Sequence, residues 1–134
     1  MTVLLDTHVW LWWLLGSNRL SMHERAALDR LASRATVRLA AVSLWEAQML
    51  HAKGRLTLDR PFNNWIREAV AAGVVEIAPL DVEVVVALDA LPRSFHGDPA
   101  DRLIVATARA HRIPLATHDR GIRRSRAVPL WRAE

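Results

Sequence analysis

The sequence predicts an α/β layer fold around a mainly parallel sheet, and three observations predict it. Short apolar runs alternate with segments of helical period along the whole chain, the pattern of successive strand–helix units. Capping signals, prolines and glycines punctuate the segments. No repeat, low-complexity tract or Pro/Gly/Ser-rich linker divides the 134 residues, a length suited to one domain, 1–134, with a single closed core.

Val3-Leu4-Leu5 reads as a buried strand, followed by a helix over residues 9–15. That helix is apolar all round, which predicts core against one face and a partner against another. Ser21-Met22-His23-Glu24 has capping-box spacing and opens a helix to about Ser33. Residues 37–42 form a second strand. Ser43-Leu44-Trp45-Glu46 reads as a second capping box, opening a helix that Gly54 stops. Pro61 begins a helix with Trp65, Ile66, Ala69 and Val70 on one side, ended by Gly73, and residues 75–78 make the third strand. Asp81 caps a helix whose Val84, Val85, Leu88 and Leu91 face the core, with Pro92 just beyond. Asp98-Pro99 starts a helix to about Arg112, with proline at its favoured first position. Residues 114–117 are the fourth strand. A short helix after Asp119 and an edge strand at 128–131 close the chain.

Composition narrows the function classes. The absence of cysteine excludes a disulfide framework and thiolate metal sites, and agrees with a reducing, cytoplasmic setting. Formal net charge is +4, supplied by seventeen arginines and the single lysine Lys53, which leans toward a polyanionic partner. The apolar opening MTVLLDTHVWLWWLLGSNRLS lacks a basic leader, is interrupted by Asp6 and His8, and is too short to span a bilayer. It reads as folded sequence with no membrane role.

Five acids share one kind of position. Asp6 follows the first strand, Glu46 lies one turn into the helix after the second, and Asp119 follows the fourth. Asp98 and Asp101 open the helix before that strand. In an open parallel sheet the strands' carboxyl ends form one edge, where ligand crevices lie. Clustered carboxylates repel and are costly to bury unless a cation compensates. Hard oxygen donors without cysteine point to Mg²⁺ or Mn²⁺ and away from zinc. Each acid alone also reads as a helix cap.

Four segments, LLDTHVWLWWL, AVSLWEAQMLHAKGRL, HGDPADRLIVATA and PLATHDRGI, stand in an order and at separations that resemble PIN domains, specifically the VapC-like toxins of type II toxin–antitoxin pairs. The resemblance covers nearly the whole chain. It implies a PIN-like (Rossmann-like) α/β/α sandwich with endoribonuclease activity that depends on Mg²⁺, with Mn²⁺ as a substitute. The implied partners are an RNA substrate, a small neutralising antitoxin and a second copy in a homodimer. By motif position Asp6, Glu46, Asp101 and Asp119 match the family's acidic residues, the expected catalytic set. With Asp98 they are the expected metal ligands. The family ligand falls on either Asp98 or Asp101, and Asp101 is preferred because it precedes LIVATA as the family acid does. Thr117 matches the hydroxyl residue that often precedes the last acid and is expected to orient a ligand or water.

Cations held at such a rim would grip the scissile phosphate, activate a water and stabilise the leaving 3′ oxygen, giving 5′-phosphate and 3′-hydroxyl ends. Arg102 and Arg120 are expected to hold flanking phosphates, with solvated helix charges as the alternative. His8, His96 and His118 sit beside candidate acids and are expected to tune the site or touch RNA, with packing or surface exposure competing for His96. Trp10, Trp12, Trp13 and Trp45 are each able to stack on bases, but Trp12 and Trp45 are assigned to the core and Trp10 or Trp13 to antitoxin contact. Arg120, Arg123, Arg124, Arg126 and Arg132 form a basic cluster that either tracks RNA or is a solvated face.

Two other readings compete. A phosphohydrolase of the haloacid-dehalogenase type needs a second Asp two residues after the first, where this chain has His8. Its later acids would be spaced by four, where Asp98 and Asp101 are spaced by three, and its catalytic lysine would have to be the badly placed Lys53. A non-catalytic PIN-like module that binds RNA or protein would lose one or more acids, and none is missing.

Overall fold

In a computed structural model, which describes residues 1–71, 73–95 and 97–133, each strand feeds helices that return across the sheet. The strand β1 (Val3–Leu5) leads into α1 (Thr7–Leu15) and α2 (Met22–Ser33). Next, β2 (Val37–Ala40) leads into α3 (Ala41–Ala52) and α4 (Phe62–Ala69), and β3 (Glu76–Ala78) into α5 (Val82–Asp89) and α6 (Pro99–His111). Last, β4 (Leu115–Ala116) precedes α7 (Arg120–Ser125). All pairings are parallel and the order is β3-β2-β1-β4.

The central place of β1 follows from its composition, because a strand covered on both faces must be apolar throughout. Val3 and Leu5 enter a core with residues of α1, α2 and α4, while Leu4 enters a second core with residues of α6 and α7. The result is the expected three-layer α/β/α arrangement. The chain adds β2 and β3 on one side of β1 and returns to add β4 on the other. The strand order therefore reverses between β1 and β4, the place where open parallel sheets form ligand crevices. Residues 129–131 shield the outer edge of β4: the Leu115 amide donates to the Pro129 carbonyl and the Trp131 amide to the Leu115 carbonyl, both at 2.9 Å. The edge strand expected at 128–131 is thereby reduced to one parallel bridge, Leu115 to Leu130.

Local chemistry sets most helix starts. Ser21 and Glu24 form a full capping box, Asp81 caps α5, and Asp98 caps α6 ahead of Pro99. The end of α1 is closed by Gly16 at φ 70° and by Arg25, whose guanidinium donates to the carbonyls of Trp12, Trp13 and Ser17.

The structure corrects several expectations. The second capping box does not form. Strand β2 stops at Ala40 and α3 begins at Ala41 with no side-chain cap, so Val42 and Ser43 are helical. With that start, Ser43, Glu46 and Ala47 occupy the buried face, which turns Trp45 outward at 53% exposure. Trp10, by contrast, is fully buried and packs on Trp65, with Thr7 and Leu11 on the same face of α1. Trp10 is therefore core and Trp45 is surface, the reverse of the expectation. Trp12 and Trp13 are half-buried, and the Trp13 indole donates to Asp29. On α5 the inward positions are Val84 and Leu88, with Leu91 buried just beyond the helix end, whereas Val85 is exposed one step around the helix. Helix α4 ends at Ala69, before Gly73.

Candidate functional site

Asp6 closes β1 and caps α1. Its Oδ1 accepts the Val9 amide at 2.8 Å, and its Oδ2 accepts the Thr117 hydroxyl. Thr117 in turn accepts the Asp119 amide at 3.0 Å, and Asp119 Oδ1 accepts the Ile122 amide at 2.8 Å, capping α7. The ends of β1 and β4 are thus tied through side chains as well as through the sheet. Asp6 is buried, and burial pushes its carboxyl up. The bonds from Thr117 and Val9, with His8 nearby, pull it back, and the Asp119 charge adds to the rise.

Glu46 reaches the same rim from α3. The Thr7 hydroxyl donates to Glu46 Oε1 and lies 2.9 Å from Ser43 Oγ. Since Thr7 spends its one proton on Glu46, Ser43 donates to Thr7. Burial raises the Glu46 carboxyl, Thr7 lowers it, and Asp98 and Asp6 raise it again. Thr7 and Ser43 escaped the sequence reading. The signal was present: Ser43 lies one turn before Glu46 on the same helix face, and Thr7 is the first helical residue after Asp6.

Asp98 is exposed and its Oδ1 accepts the Asp101 amide at 2.8 Å. Asp101 itself is half-buried and accepts no hydrogen bond among the described residues. Its carboxyl is pushed up to about 7, first by burial and then by Asp98, Asp119, Glu46 and Asp6. Asp101 therefore lies in the field of all four other predicted acids. Gly97 allows this approach, because a Cβ there would come within 2.7 Å of the Phe95 ring and 2.9 Å of Asp101 Cβ. A cavity of about 530 Å³ opens beside Asp98, Asp101 and Asp119, and Arg124 lines it.

The remaining predicted residues fall as follows. Arg102 donates to the Phe95 carbonyl, and Arg120 is exposed at the start of α7; it is Arg124 that borders the acids. His8 is exposed beside Asp6, and His118 pairs with Glu24 at 2.6 Å and meets Trp12 edge-on. His96 lies outside the described residues. Among the described residues no three carboxylate or imidazole side chains stand in a ready metal-binding arrangement, and capping or hydroxyl bonds engage Asp6, Glu46, Asp98 and Asp119. The donor chemistry nevertheless fits a hard divalent cation: the acids and hydroxyls offer only oxygen, and a cation relieves their repulsion.

The raised acids have a consequence for stability. Asp101, Asp6 and Glu46 all bind protons more tightly in the folded chain than in the unfolded one. Between about pH 4 and pH 7 the folded state therefore holds more protons, and stability falls as pH rises through that window. Glu24, held low by His118 and Ser21 against its own burial, acts in the opposite sense at more acid pH. In EDTA the protein is expected to melt several degrees higher at pH 5 than at pH 8, and Asp101→Asn to flatten the difference. A melting temperature that is level or rises over that range would contradict the assignment.

Residues 3–127 match the family described as PIN domain. Ribonuclease VapC22 of Mycobacterium tuberculosis (strain ATCC 25618 / H37Rv) is 40% identical, over 97% of this chain and 98% of its own. Among solved structures, a chain of VapBC2 from Rickettsia felis, bound to a promoter DNA fragment, superposes with a TM-score of 0.74 at 18% identity, over 98% of both chains. A chain of FitAcB from Neisseria gonorrhoeae does so at 0.70 and 25%, again over 98% of both. The 18% likeness is one of fold, and the 40% likeness is one of sequence along the whole length. Together they replace the phosphohydrolase alternative. This chain belongs to the PIN domain family, in its VapC-like branch.

Proposed function

We propose that the chain is a divalent-metal-dependent endoribonuclease and the toxin half of a toxin–antitoxin pair. The observation that carries this reading is Asp101, a half-buried carboxylate facing four others with no hydrogen-bond donor of its own among the described residues. Such a group is a net strain without a cation and a ligand with one. The likeness to a protein named ribonuclease supports RNA as the substrate, and the likeness to chains of VapBC2 and FitAcB supports an antitoxin partner.

Asp6, Asp101, Glu46, Asp119 and Asp98 are the residues to hold Mg²⁺ or Mn²⁺. Bound there, the cation supplies charge stabilisation for the phosphate and water of lowered pKa. The chain's own residues do the rest. Thr117 fixes the Asp6 carboxylate and the Asp119 backbone together, so the two acids that flank the β1–β4 crevice keep one geometry. Thr7 holds Glu46 by Oε1, which leaves Oε2 to take the proton of the attacking water. Arg124 offers the phosphate a positive charge beside the acids. The products carry 5′-phosphate and 3′-hydroxyl ends. Trp13, half-buried, and Leu15, exposed, replace Trp10 on α1 as the antitoxin contact. The protein acts in the cytoplasm as a homodimer; among the described residues no helix is long and apolar enough to cross a membrane.

The test is cleavage of single-stranded RNA by the purified chain. Cutting is expected with Mg²⁺ or Mn²⁺, to stop in excess EDTA and to leave 5′-phosphate ends. Cutting that persists in EDTA, or 5′-hydroxyl ends, would count against the proposal.

A further inference from the structure

Two more cavities lie between α2 and the C-terminal tail, and they share Trp131 and Arg132. One, of about 320 Å³, begins at the acid rim, where Thr117 and His118 border it together with His23 and Arg123. The other, of about 440 Å³, lies at the opposite end of the sheet, beside Met1 and Pro114, which precede β1 and β4. Arg30 and Arg34 border that second cavity. The two cavities adjoin at Trp131 and Arg132, and the groove they make together follows α2 from His23 in its first turn to its C-cap Arg34, a span of about 16 Å at 1.5 Å per residue.

The charge along this groove is nearly all of one sign. Arg30, Arg34, Arg123 and Arg132 are exposed, and none has a side-chain hydrogen bond or ion pair among the described residues. The carboxylate that borders it, Glu24, is engaged by His118 Nε2 at 2.6 Å. Arg30 and Arg34 alone would be explained by the negative end of the α2 dipole. That explanation does not reach Arg123 on α7 or Arg132 on the tail, which arrive at the same groove from other elements. Nor does it account for the half-buried Trp131 ring as a wall common to both cavities.

We infer that this groove is a track for single-stranded RNA, carrying the strand away from the acid rim along α2 to the amino ends of the strands. Its arginines meet successive phosphates, and the Trp131 indole offers a base a stacking face. The inference rests on the nuclease reading for the identity of the polyanion. Continuity with the rim supports it, since Thr117, which holds Asp6, is also the first wall of the groove.

The test is binding by the full chain in EDTA, where no cutting occurs, read as fluorescence anisotropy of labelled oligouridylates about 4 and about 12 nucleotides long. The longer probe is expected to bind at least about tenfold tighter, and Arg30→Gln/Arg34→Gln to remove that gain. The slope of log Kd against log salt should also become shallower by about 1.4, at about 0.7 for each lost phosphate contact on a single strand. The control Arg55→Gln/Arg67→Gln removes the same charge from exposed positions on and before α4 and should keep the gain. Absence of a length gain, or equal loss in both double variants, overturns the track. So does an oligoglutamate peptide of about ten residues that binds more tightly than the longer RNA and loses that affinity in Arg30→Gln/Arg34→Gln, since the occupant would then be an acidic protein segment. Because binding is read without metal, a chain that shows the length gain yet never cuts RNA in Mg²⁺ supports the track and refutes the nuclease reading alone.

Discussion

Asp6→Asn is expected to lower RNA cleavage by at least about a hundredfold, the upper end of what losing even an outer partner of a metal ligand costs. The metal-free variant should melt at the same temperature as the parent or higher. Both expectations come from one side chain with two tasks. As a cap, Asp6 needs only an oxygen to accept the Val9 amide, and Asn provides one as well as Asp. As a cation ligand it needs a charge, and that charge is costly to bury when no cation is present. Substitution therefore separates the roles: the cap survives, the burial cost disappears, and the chemistry stops. Single-turnover cleavage and thermal melting in EDTA read the two halves independently. Activity within a few-fold of the parent would mean that Asp6 caps α1 and ties to Thr117 without serving the chemistry.

Thr7→Val should be nearly as damaging, although Thr7 is proposed to touch neither cation nor RNA. The substitution keeps the shape and removes the hydroxyl that joins Ser43 to Glu46. Two buried polar groups then lose their partner, which costs about 1–3 kcal/mol of stability. Glu46 loses the bond that fixes its orientation, and activity should fall by about 10- to 100-fold. Thr7 also lowers the Glu46 carboxyl, so without it Glu46 stays protonated to higher pH and the acid limb of the pH–rate profile moves upward. Thr7→Ser restores the hydroxyl and should restore rate and profile together. A Thr7→Val enzyme with the parent pH profile would reduce Thr7 to a packing residue.

Much of the fold was legible because its signals are local. A three-residue apolar run such as Val3-Leu4-Leu5 suits a strand covered on both faces, and Asp81, Asp98 and Ser21 announce their helices by side-chain chemistry. The acids were legible as a group because a parallel sheet brings strand ends to one rim whatever their separation in sequence. What escaped was the direction in which side chains face. Helix α1 is apolar on every side, so nothing in its sequence distinguishes Trp10, which is core, from Trp13, which reaches Asp29. The Ser43-to-Glu46 spacing is a true capping signal that the structure overrides. Helix α3 begins at Ala41 directly on the end of β2, and the released Ser43 and Glu46 turn inward to Thr7. Arg124 was hidden for a similar reason. Within an arginine-rich tail only the tertiary path decides which guanidinium borders the acids.

The most direct test of the central claim, that the acid rim is a cation site, is calorimetric titration of Mn²⁺ into the protein near pH 7. It is best run in two buffers of different ionisation enthalpy, on the parent, Asp98→Asn and Asp101→Asn. The account predicts saturable binding with proton release in the parent, because an Asp101 carboxyl near 7 is partly protonated and must lose its proton to become a ligand. In Asp98→Asn, where the amide still caps α6, it predicts weaker but still saturable binding with less proton release, because the Asp98 charge that helps to raise Asp101 is gone; in Asp101→Asn it predicts loss of both. Undiminished binding in Asp101→Asn, or no saturable binding in the parent, would contradict it.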